Sequence, residues 1–469
     1  MDSHNCYPNL ISRMLGGFVP QAKNLYWRLS FTFVLLLGTL GCSKFSAING
    51  GSVTQSGWWN TPLPGPPISG KYCTTWSELN ETWAGNQPPI QITCLNSNNQ
   101  WVAVGGFPES PPTSGEAYYR WPSLSTTPNG DVLLSYIRRR TGAPDEELMV
   151  NRYNATTGWT QVNEMPANTA PPNKFGDTLL PSYSQYGGQV FQFQNLDYLF
   201  WTQPQGGGQL RGGVLSQQTA TGWNQIPIAP SLGTFFRFPN VLISADGKTA
   251  YLYYGEPTPT VWEFDGTNLI SLGGPSVTSS EWTLQTALTE YNGGLALAYT
   301  SDNFPVQQSW ATTTSVTKIA VYNGQTWSLI SNQIEDTPGH DPSVPFLFTD
   351  QGNLYVIYAD YTTDGVPTVC LPRFQIEFHF RVKMWNGSSW TPVGQESPTI
   401  YYSQRHEFFD DNGNVLVNVV TPDAAGTGSQ QVVLEWTGSQ FVQLGNVIQS
   451  YPDQPYLMIP RPGAIIKLL

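Results

Sequence analysis

The chain has 469 residues and a net charge of −12, although only 12% of its residues are charged. Its 21 Lys and Arg are scattered apart from Arg138-Arg139-Arg140, which argues against nucleic acid as a partner, because phosphate neutralisation needs a concentrated basic face. Gly (45), Pro (38), Trp (17) and Tyr (23) are plentiful, and no long segment after residue 45 repeats its apolar residues at a helical period, so an all-β chain is expected.

Residues 1–41 read as a signal peptide. Lys23 and Arg28 precede an apolar run from Leu29 to Leu40, which at about 12 residues is shorter than the ~20 a membrane-spanning helix needs. Thr39-Leu40-Gly41-Cys42 then resembles the lipobox of bacterial lipoproteins. The resemblance implies that Cys42 is lipidated and becomes the mature N-terminus, tethering the protein to a membrane outside the cytoplasm. Ser43, rather than Asp, would imply the outer membrane of a Gram-negative cell. Thr39 departs from the pattern, which usually has Leu there, and an ordinary signal peptide or short anchor is the alternative; translation would start at Met1 or Met14.

Residues 42–86, rich in Ser, Gly, Pro and Asn, read as a tether, although Trp58, Trp59, Trp76 and Trp83 are unusual in a free linker. Three cysteines remain in the mature body, Cys73, Cys94 and Cys370. Export permits a disulfide, and Cys73–Cys94 is the favoured pair because it would staple the tether to the first strand; free buried thiols are the alternative.

From residue 87 onward a repeat takes over. A polar tight turn is followed by an aromatic or Leu anchor and a short strand, at Trp101, Trp159, Trp223, Leu269, Trp327, Trp390 and Phe441. Between anchors lies a second pair of apolar strands around a Gly turn, as at Asn129-Gly130, Asp246-Gly247, Gly293-Gly294, Gln351-Gly352 and Asn412-Gly413. Two hairpins per period of about 50–60 residues are the pattern of a β-propeller blade. The chain opens on an outer hairpin (Ile90 to Trp101) and closes on an inner one (Pro455 to Ile466). The expected fold is therefore a seven-bladed β-propeller over 87–469 whose last blade is shared by the N- and C-terminal strands, leaving no open edge.

Propeller topology puts the blade-to-blade loops and the second-to-third-strand loops on one face. The long insertions fall there: Ile137 to Glu147, Thr202 to Gly208, Thr300 to Ser315 and Tyr361 to Arg373. The innermost strand of each blade also starts at this face, and its first residues are charged or His: Arg120, Asp177, Arg237, Glu281, His340 with Asp341, Arg405 with His406 and Glu407, and Asp453. Such a ring suits a polar ligand at a pocket mouth, or else a belt of salt bridges capping the channel. Trp121, Phe238, Trp282 and Phe408 follow these charges, although aromatics at a repeat position usually belong to the blade core.

Motifs for chemistry are few. No phosphate loop, His-Glu-x-x-His, Cys-x-x-Cys or Gly-x-Ser-x-Gly element occurs, so no cofactor or metal is expected. Ser244-Ala245-Asp246-Gly247-Lys248-Thr249 is similar to the Asp-box turn of sialidases, but its Gly comes one place early and the Trp is missing. The Trp385-Asn386-Gly387-Ser388-Ser389-Trp390 turn resembles those of fucose-binding propeller lectins, without their recurring Arg and Glu. The Gly-Gly doublets at 187–188 and 293–294 resemble kelch repeats. These resemblances specify bacterial propeller-repeat proteins as a class. The resulting expectation is non-catalytic binding of a glycan, peptide or protein partner through the long-loop face. The alternatives are a sialidase-like glycoside hydrolase working through Glu281 or Glu407 and the channel-mouth arginines, and a scaffold in an envelope assembly.

Overall fold

A computed structural model describes residues 65–77, 90–109, 117–140, 146–162, 188–205, 210–219, 222–228, 239–255, 258–278, 281–303, 315–331, 333–334, 340–362, 377–401, 407–451 and 461–468. Two compact units divide the chain, Met1–Ser56 and Gly57–Leu469, and every described residue belongs to the second.

The described strands form seven antiparallel sheets in a ring, a seven-bladed β-propeller. β1 (Tyr72–Ser77), β2 (Ile90–Leu95) and β3 (Trp101–Val104) belong to the shared blade. Blade 1 is β4 (Ala117–Thr126), β5 (Val132–Arg140), β6 (Glu146–Asn154) and β7 (Gly158–Gln161). Blade 2 is β8 (Gly188–Phe193), β9 (Leu196–Gln205), β10 (Leu210–Thr219) and β11 (Gly222–Pro227). Blade 3 is β12 (Asn240–Ile243), β13 (Ala250–Tyr254), β14 (Thr260–Phe264) and β15 (Leu269–Gly273), and blade 4 is β16 (Glu281–Tyr291), β17 (Gly294–Asn303), β18 (Ser315–Tyr322) and β19 (Trp327–Ser331). Blade 5 is β20 (His340–Asp350), β21 (Asn353–Thr362), β22 (Glu377–Trp385) and β23 (Trp390–Pro392), with β24 (Ile400–Tyr401) also pairing β22. Blade 6 is β25 (Glu407–Asp411), β26 (Asn414–Pro422), β27 (Ser429–Trp436) and β28 (Phe441–Tyr451), and β29 (Arg461–Lys467) completes the shared sheet in the order β29-β1-β2-β3. First strands meet around the axis, β29 beside β4, β4 beside β8, β16 beside β20 and β25 beside β29.

The core lies between blades rather than within them. Seven buried clusters each join two neighbouring blades. β5 shows why the sequence permits this: Val132, Leu134 and Tyr136 pack toward the shared blade, whereas Leu133 and Ile137 pack toward blade 2. A strand covered on both faces reads as a continuous apolar run, not as an alternation.

The repeat has a physical explanation in two parts. Its polar turn is an Asx turn: Asn386 Oδ1 accepts from the Ser388 and Ser389 amides, Asn323 Oδ1 from Gln325 and Thr326, and Asp265 Oδ1 from Thr267 and Asn268. The anchor Trp then stitches blade to blade. Trp101 Nε1 donates to Leu444 O (2.7 Å), Trp159 to Gly105 O (2.6 Å), Trp223 to Val162 O (3.2 Å) and Trp327 to Leu272 O (2.9 Å). Each acceptor lies on or just after the outer strand of the preceding blade.

Closure differs in detail from the expected pair of half-blades. The C-terminus supplies one described strand, β29, and the N-terminus three. Pro462-Gly463 lies within β29 instead of forming a turn, while Pro455 to Leu457 fall outside the described residues. β1, inside the segment read as tether, fills the second place of the blade. Cys73 sits directly opposite Cys94 in the β1–β2 register, and the two are disulfide-bonded. Three further contacts lock this blade to blade 6: Tyr72 Oη donates to Asp411 Oδ2 (2.6 Å), Lys467 Nζ to Asp411 Oδ1 (2.8 Å), and Asn418 Nδ2 to buried Thr74 Oγ1 (2.9 Å).

Candidate functional site

Every described hairpin between first and second strands closes tightly, several with two residues at positive φ, such as Asn292 (50°) with Gly293 (75°) and Gln351 (50°) with Gly352 (80°). The near match to an Asp box belongs to this face. Asp246 Oδ1 accepts from the Lys248 amide (3.0 Å) and the Ser244 hydroxyl (2.8 Å), bonds that hold its carboxyl below the usual range. That turn is a structural cap.

At the opposite ends of the strands, β17 is followed by 304–314 before β18 and β21 by 363–376 before β22, and both segments lie outside the described residues. Two of the expected insertions are mostly strand. Arg138 pairs with Glu147 and Arg139 with Glu146, and Gln205 pairs with Leu210, so β5–β6 and β9–β10 extend as paired ribbons. Pairing there gives the backbone N–H and C=O groups protein partners that a loop would leave to water.

The backbone positions five of the candidate residues. Glu281 opens β16 opposite Asn303, His340 opens β20 opposite Thr362 with Asp341 opposite Tyr361, and Glu407 opens β25 opposite Asn418. Arg120 lies within β4 opposite Ile137. Asp177, Arg237, Arg405, His406 and Asp453 lie outside the described residues, as does Cys42.

Just below these positions, three inner strands each carry one extra residue. Opposite strands advance by two (Ile137 to Ser135, Ser301 to Tyr299, Ala359 to Ile357) while the inner strands advance by three (Arg120 to Ser123, Thr283 to Thr286, Ser343 to Phe346). These are β-bulges at one height in blades 1, 4 and 5. They align Arg120 with Thr283 and Ser343, which sets Arg120 two residues deeper along its strand than Glu281 and Asp341. Trp121 (φ 55°) and Val344 (φ 50°) occupy the same place in their bulges. Positive φ in a β-branched or bulky residue costs roughly 1–3 kcal/mol and persists only where the surroundings enforce it. Part of that enforcement is visible: the Val344 amide donates to Gln285 Oε1 across the blade 4–5 boundary (2.8 Å), and Trp121 is buried among blade 1 and 2 residues. No sequence signal marked these bulges, because neither position is a glycine.

Two sets of ion pairs away from these positions are latches. Arg152 bridges Asp131 and Asp197 between blades 1 and 2. Buried Arg138 meets Glu109 (3.2 Å), which also accepts from the Tyr136 hydroxyl. Among the described residues no group of three His, Cys, Asp or Glu is arranged to hold a metal.

Comparisons with known proteins assign the chain to no family. No protein-family model matches the chain, and no curated protein matches it. Among solved structures the chain is similar to the periplasmic gluconolactonase of Pseudomonas aeruginosa, with a TM-score of 0.48 and 10% identity over 85% of this chain and 99% of that one. It is also similar to an α-L-arabinanase of Penicillium chrysogenum complexed with arabinobiose (TM-score 0.39, 12% identity, 75% of this chain and 93% of that one). A third is a Bombyx mori β-fructofuranosidase in complex with sucrose (TM-score 0.34, 10% identity, 74% and 91%).

Proposed function

We propose that this propeller is an exported recognition protein that binds a glycan, peptide or protein partner at the channel mouth on its long-connection face. The observation that carries this reading is that the inner strands bearing Arg120, Glu281 and Asp341 each bulge near the channel mouth, two of them at a bulky residue of positive φ, Trp121 and Val344. Bulges concentrate where a strand must re-aim side chains next to a site, and a scaffold closed by short turns at its other end has no structural need for them. Residues of both charge signs at that height suit a ligand rich in hydroxyl, carboxylate or amide groups. The Cys73–Cys94 disulfide supports an oxidising compartment, and lipidation at Cys42 would hold the protein at a membrane surface.

The test is a glycan and peptide array probed with residues 43–469, followed by calorimetry on any hit with wild type and Glu281→Gln. Weakening by about tenfold or more, with recovery of intact ligand, supports non-catalytic recognition. Cleaved ligand would transfer the site to hydrolysis by Glu281 or Glu407. Absence of any hit, together with self-association or capture of envelope components, would favour a scaffold.

A further inference from the structure

The hairpin face, opposite the proposed recognition face, carries a concavity. A cleft of about 450 Å³ opens where the lower ends of blades 3, 4 and 5 meet, within the size range of small-ligand sites. It is lined by Tyr251 from β13, by Glu290 and Tyr291 from the end of β16, and by Asn292, Thr349 and Gln351. Gly293 and Gly352 also line it, and neither has an atom within 4 Å of where a Cβ would stand.

The charge in this cleft is one-sided. Glu290 is the only ionisable carboxylate in the lining and no Lys, Arg or His joins it. One of its oxygens, Oε2, accepts from the Ala245 amide at 2.8 Å, which fixes the carboxylate at the edge of the cavity. Glu263 and Asp246 stand near enough to act on the Tyr251 hydroxyl together with Glu290, and burial, the largest influence, raises that hydroxyl's pKa in the same direction. Lys248 offsets Asp246 through a 3.2 Å ion pair, so negative potential remains. Tyrosines beside a carboxylate held by a backbone amide, on a chain of net charge −12, are a combination that suits ammonium and guanidinium groups: ring quadrupole, ion pair and long-range attraction can act together.

We propose that this cleft is a binding site for an organic cation, an alkylammonium or guanidinium group, delivered either by a free polyamine or by a basic side chain of a partner. It is independent of the recognition proposed for the other face.

The experiment is calorimetric titration of the full mature chain with 1,5-diaminopentane, pentane-1,5-diol and a short arginine-containing peptide, at low and moderate salt. The expected result is binding at one site by the diamine or the peptide, none by the diol, and weakening as salt rises. Glu290→Gln keeps an oxygen for the Ala245 amide, so the fold is retained, and should weaken binding at least about fivefold. Gln351→Lys, an exposed change in the lining, should weaken it similarly by placing a cation in the cleft. Tighter binding of the peptide would identify a partner side chain as the source, and equal or tighter binding of the diamine a free amine. Failure of both cations to bind, equal binding of the diol, or unchanged affinity in Glu290→Gln and Gln351→Lys with both melting normally would overturn the proposal.

Discussion

The anchor tryptophans give the account its sharpest energetic test, because the repeat supplies an internal control. Trp159 Nε1 donates to Gly105 O at 2.6 Å in a buried setting, whereas Trp390 Nε1, at the equivalent anchor in blade 5, is buried with no hydrogen-bond partner among the described residues. Trp→Phe at either position removes the same volume, and because Trp159 is buried while Trp390 is partly buried, the packing loss at Trp159 is at least as large. They differ in the hydrogen bond. Trp159→Phe strands a buried carbonyl, at a cost of about 1–3 kcal/mol, whereas Trp390→Phe deletes a donor that was already unsatisfied and recovers part of its packing loss. With an unfolding entropy of about 0.6 kcal/mol/K for the roughly 290 described residues, each kcal/mol moves Tm by about 1.6 °C. Calorimetry should therefore place Trp159→Phe about 2–5 °C below Trp390→Phe, and urea midpoints followed by circular dichroism should rank them the same way. Equal destabilisation of both would refute the idea that indole N–H bonds stitch the blades.

Other consequences follow from the closure and the turns. Cys73→Ser with Cys94→Ser should cost about 3 kcal/mol, given the 21-residue separation, and reducing the wild type should lower its Tm by the same amount. Gly445 stands at φ 75°, and a Cβ there would lie 2.8 Å from Trp101 Cδ1. Gly445→Ala should then cost about 2–4 kcal/mol in denaturation experiments, against roughly 1–2 for Gly130→Ala, where φ is 82° but the space is open. Asp410 is raised above the ordinary Asp range by burial and then by Asp411 and Asp350, despite accepting from the Gly413 amide. A raised folded pKa gives stability that is present below the unfolded pKa and lost as pH rises through the folded value. Asp410→Asn should therefore melt above wild type at pH 7 and match it near pH 3; a lower Tm at pH 7 would contradict this.

What the sequence disclosed was the part of the fold written in local contacts. Asn-Gly and Asp-Gly turns cap themselves through their own side chains, and four of the seven anchors, Trp101, Trp159, Trp223 and Trp327, meet equivalent backbone of the preceding blade through the indole N–H. Closure was harder to read for a definite reason. Pro462-Gly463 looks like a turn, but Gly463 is needed where β29 passes β1: a Cβ there would fall 2.6 Å from Thr75 Cγ2. A glycine that permits close strand approach and one that permits a turn are the same letter. β1 was equally hidden, since Tyr72 to Thr75 are buried on both faces and show no alternation. At the candidate site, charged residues at the strand starts were visible as a pattern. The bulges that set Arg120 deeper than Glu281 were not, because Trp121 and Val344 are held at positive φ by packing between blades.

The most direct test of recognition at the channel mouth is a hydrogen-exchange footprint of the chain with and without its array-selected ligand. The account predicts added protection in 117–123, 281–286 and 340–346, the three bulged stretches, with the two-residue hairpin turns unchanged. Protection confined to the hairpin face or to the outer strands, with those three stretches unaltered, would contradict it.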